Sequence, residues 1–246
     1  GLTLITVLIS LFAPAVGNFE KDLVAKGLSQ AQTKMKLTRT NAENSQATSF
    51  GVNKGVVILG DSVALRSKDQ IESSIDNVAI DAVVSRNLST INDLLKDYAD
   101  SNALAKDVVI AGGVNEIDDY KGVINKMIKN LPKGHHIIFV TPYNGSKSGS
   151  KAVSLVQLRK YELEMAKKYD FVTVADWYQV AKENISIWNG TDGVHFGSDS
   201  DSINRGAKLY TNTIKEAIAK ANQKPVKGGD ISLIKAYKSC LLFFVI

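Results

Sequence analysis

Three residue types that together can perform nucleophilic catalysis occur at two distant places in this chain. Ser62 is the third residue of a Gly-Asp-Ser-Val segment that directly follows the apolar run Val56–Leu59. Asp192 and His195 begin and end an Asp-Gly-Val-His segment. A serine hydroxyl is a weak nucleophile that needs a base to take its proton, and the base needs a third group to fix its tautomer and orientation. We therefore predict Ser62 as the nucleophile, His195 as the base and Asp192 as the group that orients the base.

Each of these segments, taken alone, also fits an ordinary structural role. Gly, Asp and Ser are common turn residues, and Ser62 could simply cap a helix. Asp192 and His195 could form an Asx-turn with a solvated histidine. His135 and His136 stand just ahead of a predicted strand, where a surface turn accounts for them. His195 is therefore the histidine with a carboxylate partner nearby in the chain.

Asn115 adds a group that could stabilise a negatively charged oxygen. It follows two glycines and the predicted strand Val108–Ala111, so its amide is expected at the end of that strand. A preorganised amide donor aimed at a developing oxyanion is a recognised stabilising device. A helix-capping asparagine is the alternative. The ends of the first three predicted strands deliver Ser62, the segment starting at Ser85, and Asn115, which would line one rim of a parallel sheet.

The elements that must position these residues alternate between apolar runs and amphipathic stretches, which is typical of βαβ units. Strands are predicted at Val56–Leu59, Val78–Val84, Val108–Ala111, Ile137–Thr141 and Val172–Ala175. Apolar residues then recur with helical spacing, and each such stripe is expected to pack on the sheet. The stripes start at Leu88, Tyr120, Leu158 and Ile203. We therefore predict an α/β fold, a three-layer sandwich with a five-stranded parallel sheet flanked by helices.

Length and composition are compatible with one sizeable α/β domain plus appendages. The chain has 246 residues, of which 44% are hydrophobic, and this is enough for a substantial core. The formal net charge is +5, and the lysines are dispersed without an arginine-rich cluster, so nothing favours nucleic-acid binding. Cys240 is the only cysteine, which excludes an intrachain disulfide and a cysteine-rich zinc site.

The chain divides into four predicted segments. Residues 1–16 are rich in apolar side chains and are interpreted as the end of a truncated transmembrane helix, with a signal-peptide remnant as the alternative. Residues 17–50 are polar and are predicted to form a stem or linker. The catalytic domain is predicted to span residues 51–223. The tail, residues 224–246, ends in an apolar run and has no assigned role.

Three blocks of the sequence together resemble a known superfamily. Gly-Asp-Ser at Ser62, Gly-Val-Asn at Asn115 and Asp-Gly-Val-His ending at His195 resemble the SGNH (GDSL-like) hydrolases. The Gly-x-Ser-x-Gly pattern of α/β-hydrolases is absent, because Ala64 occupies its last position. Within the superfamily, the blocks around Ser62 and His195 look most like the extracytoplasmic C-terminal domain of bacterial peptidoglycan O-acetyltransferases. In those proteins an acyltransferase family 3 membrane domain is fused to an SGNH domain.

The resemblance implies a flavodoxin-like SGNH fold and the roles given above for Ser62, His195 and Asp192. It also implies an oxyanion hole built from the backbone N–H of Ser62, the backbone N–H of Ser85 and the Asn115 amide. The family usually has glycine where Ser85 stands, but any residue except proline supplies a backbone N–H. The implied reaction moves an acetyl group through an acetyl-serine to the C6 hydroxyl of muramic acid, and it requires neither a metal nor a bound cofactor.

The implied partners are peptidoglycan glycan strands and a membrane acyltransferase domain, absent from this chain, that delivers acetyl groups. The N-terminal helix would contact the membrane, which places the catalytic domain at the cell membrane on its extracytoplasmic side. Two alternative functions stay open. One is an SGNH esterase that uses the same three residues to hydrolyse acetyl esters of carbohydrates or lipids. The other is a non-catalytic wall-binding module that has kept the fold.

Overall fold

The computed structural model describes residues 46–115, 118–146, 149–230 and 232. Within these ranges five strands form one parallel sheet in the order β2-β1-β3-β4-β5. The strands are β1 (Val56–Gly60), β2 (Val78–Ala82), β3 (Asp107–Ala111), β4 (His136–Val140) and β5 (Val172–Ala175). The predicted fold class, an α/β sandwich around a five-stranded parallel sheet, is confirmed.

Helices connect the strands and continue after the last one. They are α1 (Ser62–Arg66), α2 (Lys68–Ser74), α3 (Leu88–Asp100), α4 (Tyr120–Asn130), α5 (Gly149–Lys168), α6 (Trp177–Glu183) and α7 (Ser200–Ala221), with a 3-10 helix at Ile185–Trp188. The long α7 begins with a capping box in which Asp199 and Ser202 exchange side-chain to backbone hydrogen bonds. That cap sets where the loop carrying His195 ends.

Two apolar cores form because successive residues of a strand face opposite sides of the sheet. Ile58 of β1 belongs to the core under α1, α2, α6 and α7, together with Trp177 and Tyr210. Leu59, the next residue, belongs to the core under α3, α4 and α5. Every residue of β1, β3 and β4 is buried, as expected for parallel strands that are covered on both faces.

The predicted helical stripes are the faces that pack on the sheet. One residue from each stripe is 0% exposed: Ile91 in α3, Ile124 in α4, Leu158 in α5 and Ile214 in α7. Burial of one apolar stripe per helix supplies most of the stabilisation of such helices. The helical spacing of apolar residues therefore identified the buried faces.

Strand β2 ends earlier than its apolar sequence predicts. The prediction extended it to Val84, but pairing stops at Ala82, and Val83 and Val84 are 49% and 63% exposed. The reason is the neighbouring strand. β1 ends at Gly60 because α1 begins there, so β2 has no further partner after Val83 N donates to Gly60 O at 3.3 Å. The chain then turns at Ser85, whose φ is 59°.

Residues just outside the predicted domain limits also pack on the domain. Ala47 lies in a helical turn at residues 46–49 and is 1% exposed, and Gln46 donates to Asp230 O at 2.9 Å. Val226 is 1% exposed, and the ammonium of Lys227 donates to carbonyl groups at the end of α4. The structured region therefore includes parts of the predicted stem and tail.

The predicted transmembrane segment, residues 1–16, and most of the predicted stem lie outside the described residues, as do residues 233–246 of the tail. Across the ranges that the structure describes, no helix combines the length and the apolarity needed to cross a bilayer.

Candidate active site

Ser62 lies at the carboxyl end of β1 and is the first residue of α1. The helix is capped by its neighbour Asp61, whose Oδ1 accepts from the backbone N–H of Val63 at 3.0 Å. The Ser62 hydroxyl is therefore not occupied by the capping role that its sequence context also allowed. Gly60 makes the sharp strand-to-helix turn possible, because a Cβ at that position would lie 2.6 Å from the Ala64 Cβ.

Asp192 organises the loop that carries His195. Its Oδ1 accepts from the backbone N–H groups of Val194 and His195 at 2.9 and 2.8 Å, and its Oδ2 pairs with His195 Nδ1 at 2.7 Å. The turn needs glycine at position 193, where φ is 81° and a Cβ would lie 2.5 Å from the backbone nitrogen of Ser146. One carboxylate thus shapes the turn and orients the imidazole.

The electrostatics of Asp192 fit an orienting role. Partial desolvation raises its pKa, but the hydrogen bonds from the backbone and ring of His195 and from Val194 outweigh that effect and lower the pKa to about 2. The carboxylate is therefore ionised at neutral pH. An ionised partner at Nδ1 holds the proton on that nitrogen and leaves Nε2 as an acceptor.

The fold joins Ser62, His195 and Asp192 into one line of hydrogen bonds. His195 Nε2 lies 2.7 Å from Ser62 Oγ, and on the other side of the ring Nδ1 lies 2.7 Å from Asp192 Oδ2. Both distances are within hydrogen-bond reach, the geometry in which an imidazole can take a proton from an alcohol. The side chains of His195 and Asp192 are 36% and 58% exposed, so the line lies at the protein surface.

Arg66, which the sequence analysis did not identify, connects the helix that carries Ser62 to the loop that carries His195. It sits on α1, four residues after Ser62, and its Nε and Nη2 donate at 2.7 Å each to the carbonyl oxygens of Phe196 and Gly197. These carbonyls directly follow His195 in the chain. No local pattern could have revealed this contact, since its donor and acceptors are about 130 residues apart.

Ser85 lies in the loop after β2 and Asn115 in the loop after β3, the two strands that flank β1. β1 pairs with β2 and β3 so that Gly60 lies between Ala82 and Ala111, which places all three strand ends at one edge of the sheet. The Asn115 amide donates to the backbone carbonyl of Arg86 at 3.3 Å, so the third strand's loop contacts the loop of the second. Ser85 adopts φ 59°, a left-handed conformation that glycine adopts without steric cost.

Asp61 is a buried carboxyl group beside the proposed nucleophile. It is 2% exposed, and desolvation raises its pKa from 3.8 to about 6, against the opposing effects of backbone hydrogen bonds and of His195. It borders a cavity of about 10 Å³, room for about one water molecule, whose wall includes Thr141, Trp177 and Tyr210.

The interpretation of His135 and His136 as surface-turn residues is wrong. They are 5% and 0% exposed, and His136 is the first residue of β4. Its Nδ1 pairs with Asp107 Oδ1 at 2.7 Å, and its Nε2 lies 3.0 Å from Lys224 O. Asp107 and His136 face each other across β3 and β4 at the amino end of the strands, opposite the edge that carries Ser62. This second Asp-His pair is structural.

No group of three or more His, Cys, Asp or Glu side chains among the described residues is arranged to hold a metal ion.

The chain has the five-stranded parallel sheet of the SGNH fold, with a serine after the first strand, an asparagine after the third and an Asp-x-x-His loop before α7. A scan against models of protein families finds no match.

Two similar proteins are both named as peptidoglycan O-acetyltransferases. The C-terminal catalytic domain of Streptococcus pneumoniae peptidoglycan O-acetyltransferase A (OatA), solved with a methylsulfonyl adduct, is 44% identical with a TM-score of 0.70, and the match covers 72% of this chain and 98% of that domain. The Bacillus subtilis (strain 168) protein YrhL, a proposed peptidoglycan O-acetyltransferase, is 28% identical over 165 residues. That match covers 67% of this chain but only 24% of YrhL.

A more distant structure shows the fold alone. A member of the lipolytic G-D-S-L family from Veillonella parvula is 16% identical with a TM-score of 0.55, over 66% of this chain and 97% of that one. The identity to the pneumococcal domain, over nearly its whole length, places the chain in the family of peptidoglycan O-acetyltransferase catalytic domains.

Proposed function

We propose that this chain is the catalytic domain of a serine-dependent O-acetyltransferase that acetylates peptidoglycan, with Ser62, His195 and Asp192 as its catalytic triad. The observation that carries the proposal is the unbroken line from Ser62 Oγ through His195 to Asp192, with 2.7 Å at each step. The likeness to the pneumococcal O-acetyltransferase domain supports acetyl transfer, and peptidoglycan as its target.

In the first half of the reaction His195 Nε2 takes the proton of Ser62 as Oγ attacks the carbonyl carbon of an acetyl ester. The carbonyl oxygen becomes an oxyanion that the N–H groups of Ser62 and Ser85 and the Asn115 amide stabilise. When the tetrahedral intermediate collapses, the donor's alcohol leaves with the proton from His195. An acetyl group remains on Ser62 Oγ.

In the second half a sugar hydroxyl replaces the leaving alcohol. His195 Nε2 takes the proton of that hydroxyl, whose oxygen attacks the acetyl carbon, and Ser62 Oγ leaves and recovers the proton. Asp192 stabilises the imidazolium that forms in each half. We place the acceptor hydroxyl on muramic acid of the glycan strand, at C6, as the family resemblance implies.

The proposed location and donor follow from this acceptor. Peptidoglycan lies outside the cell membrane, so the domain is proposed to act on the extracytoplasmic side. The chain spans about a quarter of the length of YrhL, the curated relative that it matches. We propose that a membrane acyltransferase domain supplies the acetyl groups.

The test is an acetyl-transfer assay with an activated aryl acetate, with and without a chitooligosaccharide. We expect wild-type protein to release the aryl alcohol and to produce acetylated sugar detectable by mass spectrometry, with an added acetyl on the peptide that contains Ser62. Ser62→Ala is expected to abolish both products. Ser73→Ala is the matched control, because Ser73 is an exposed residue of α2 whose hydroxyl donates to the carbonyl of Gln70.

The outcomes separate the alternatives. Ester hydrolysis that the sugar does not change, with no acetylated sugar formed, would assign the domain to the esterases. Absence of turnover in the wild-type protein, with retained binding to cell-wall sugar, would identify a binding module.

A further inference from the structure

The loop after β2 carries a proposed oxyanion donor but has little apolar packing to hold it. Val83 and Val84 are 49% and 63% exposed, and Ser85 is exposed as well. Ser85 is also held at φ 59°, a conformation that costs a residue other than glycine roughly 1 kcal/mol or more. Oxyanion donors are effective when they are fixed before the reaction, since reorienting them during it wastes their stabilisation. Polar contacts must therefore hold this loop.

The Arg86 guanidinium supplies those contacts. Its side chain is 12% exposed. Nη1 donates to the carbonyl oxygens of Asp81 at 2.8 Å and of Gly60 at 3.2 Å, and Nη2 donates to Asp81 Oδ1 at 2.9 Å. The other carboxylate oxygen of Asp81 accepts from the hydroxyl of Tyr98 on α3 at 3.1 Å. Because a guanidinium is planar with fixed donor directions, these contacts fix the loop against the end of β1, two residues before Ser62.

The backbone of the same residue holds the third proposed donor. The Arg86 carbonyl accepts from Asn115 Nδ2 at 3.3 Å. A side-chain amide has two N–H donors, so this bond orients the amide and leaves its second N–H for an oxyanion. Arg86 therefore contacts the segments of all three proposed donors: it follows Ser85 in the chain, it binds Gly60 before Ser62, and it accepts from Asn115.

We propose that Arg86 is the residue that positions the oxyanion hole. It acts through Ser85, Asn115 and the end of β1 and does not touch the substrate. The inference rests on the proposed function, because it assigns Arg86 a task within that acyl-transfer site.

The first experiment compares Arg86→Ala and Arg86→Lys with the wild-type protein in hydrolysis of an aryl acetate. We expect Arg86→Ala to lower kcat by roughly 10- to 100-fold with KM nearly unchanged, because misplaced donors weaken binding of the transition state only. Arg86→Lys should fall between, since a compact ammonium cannot make all three bonds at once. The pH dependence of kcat/KM should keep its shape, because Ser62, His195 and Asp192 are untouched.

Arg159→Ala is the matched control. Arg159 pairs with Asp176 through two bonds, at 2.8 and 2.6 Å, at the end of β5, and its side chain is 25% exposed. Losing it removes a comparable guanidinium-carboxylate pair away from the proposed oxyanion hole. We expect a lower melting temperature and a wild-type kcat for this variant.

A double-mutant cycle separates positioning from general destabilisation. If Arg86 acts through the oxyanion hole, Arg86→Ala in an Asn115→Ala background should lower kcat less than it does alone, because one of the donors that Arg86 positions is already missing. A folded Arg86→Lys or Arg86→Ala protein with wild-type kcat overturns the proposal. A double variant whose kcat falls by the full product of the two single-variant factors also overturns it. If Arg86→Ala does not fold, Arg86→Lys, alone and with Asn115→Ala, decides the question.

The test remains informative if the proposed function fails. A protein that hydrolyses the ester without acetylating sugar refutes the transferase assignment, yet its hydrolysis still reports on Arg86. For a protein without any turnover, the rate at which a sulfonyl fluoride labels Ser62 replaces kcat. In that reaction the Oγ–S bond forms, fluoride leaves and His195 takes the proton, so misplaced donors slow it in the same way.

Discussion

Replacing Asp61 with asparagine is expected to stabilise the protein at high pH and to change its stability little at low pH. Asp61 is 2% exposed and borders a cavity with room for about one water molecule, so its charged form is poorly solvated. Asparagine keeps the oxygen that caps α1 through Val63 N, and it is about as good a helix cap as aspartate. The substitution therefore removes the charge and leaves the cap.

The magnitude follows from the shift in pKa. Burial raises the pKa of Asp61 from 3.8 to about 6. For an acid raised in this way, the folded state incurs no penalty below the unfolded pKa, loses stability as the pH rises from the unfolded to the folded pKa, and carries the full penalty above the folded pKa. About two pKa units at about 1.4 kcal/mol each give a penalty of about 3 kcal/mol. Because the group is almost fully buried, solvent screening does not reduce it.

The assay is denaturant unfolding of the wild-type protein and Asp61→Asn at about pH 4, 6 and 8. The difference in unfolding free energy between the two proteins should be small at the lowest pH and should approach about 3 kcal/mol in favour of Asp61→Asn at the highest, less about 1 kcal/mol if the new amide N–H groups lack partners. Taking the difference cancels the titration of other groups. A difference that does not change with pH, or a variant less stable at high pH, would refute the reasoning.

Three further substitutions test the proposed site. Asp192→Asn is expected to lower kcat for an aryl acetate by roughly 10³- to 10⁴-fold without unfolding the protein, because an amide can stabilise the wrong tautomer of His195; circular dichroism checks the folding, and a loss below about tenfold would exclude an orienting carboxylate. Asn115→Ala is expected to lower kcat by roughly 10²- to 10³-fold at similar KM, the effect of removing one oxyanion donor; a rise in KM alone would instead indicate a role in substrate binding. Arg66→Ala is expected to lower the unfolding free energy by about 2 kcal/mol and kcat by at least ~10-fold, since two carbonyls beside His195 lose their charged donor. Calorimetry and the ester assay measure the two effects, and an unchanged kcat would show that the contact only stabilises the fold.

The layered fold could be predicted because its determinants are local. Apolar runs of strand length and apolar stripes of helical spacing identify elements that must bury one or two faces, whatever their partners. The sequence predicts a strand over residues 172–175, and the structure has the same limits. The end of β2 was missed because it depends on a neighbour: Val83 and Val84 fit a strand, but β1 stops at Gly60 and offers no further partner.

The candidate site divides in the same way. Ser62, Asp192, His195 and Asn115 could be selected because reactive residue types next to strand ends and glycine turns are visible in the chain itself. The roles of Arg66 and Arg86 could not be predicted in this way. Both side chains bind backbone carbonyl groups, and every residue has such a group, so the sequence does not show which carbonyls they will meet. Arginines of this kind are found only when the fold brings them to those carbonyls.

Histidine 136 shows the limit most clearly. In the sequence it follows another histidine and a Lys-Gly pair, yet the β3–β4 register sets it opposite Asp107 in the interior, where the two share a hydrogen bond. The amino-acid sequence by itself determined which segments become strands and helices and which residue types are available for chemistry, because these depend on neighbours along the chain. The tertiary structure alone decided which Asp-His pair is buried and which faces a serine, because that depends on which strand ends and loops meet in space.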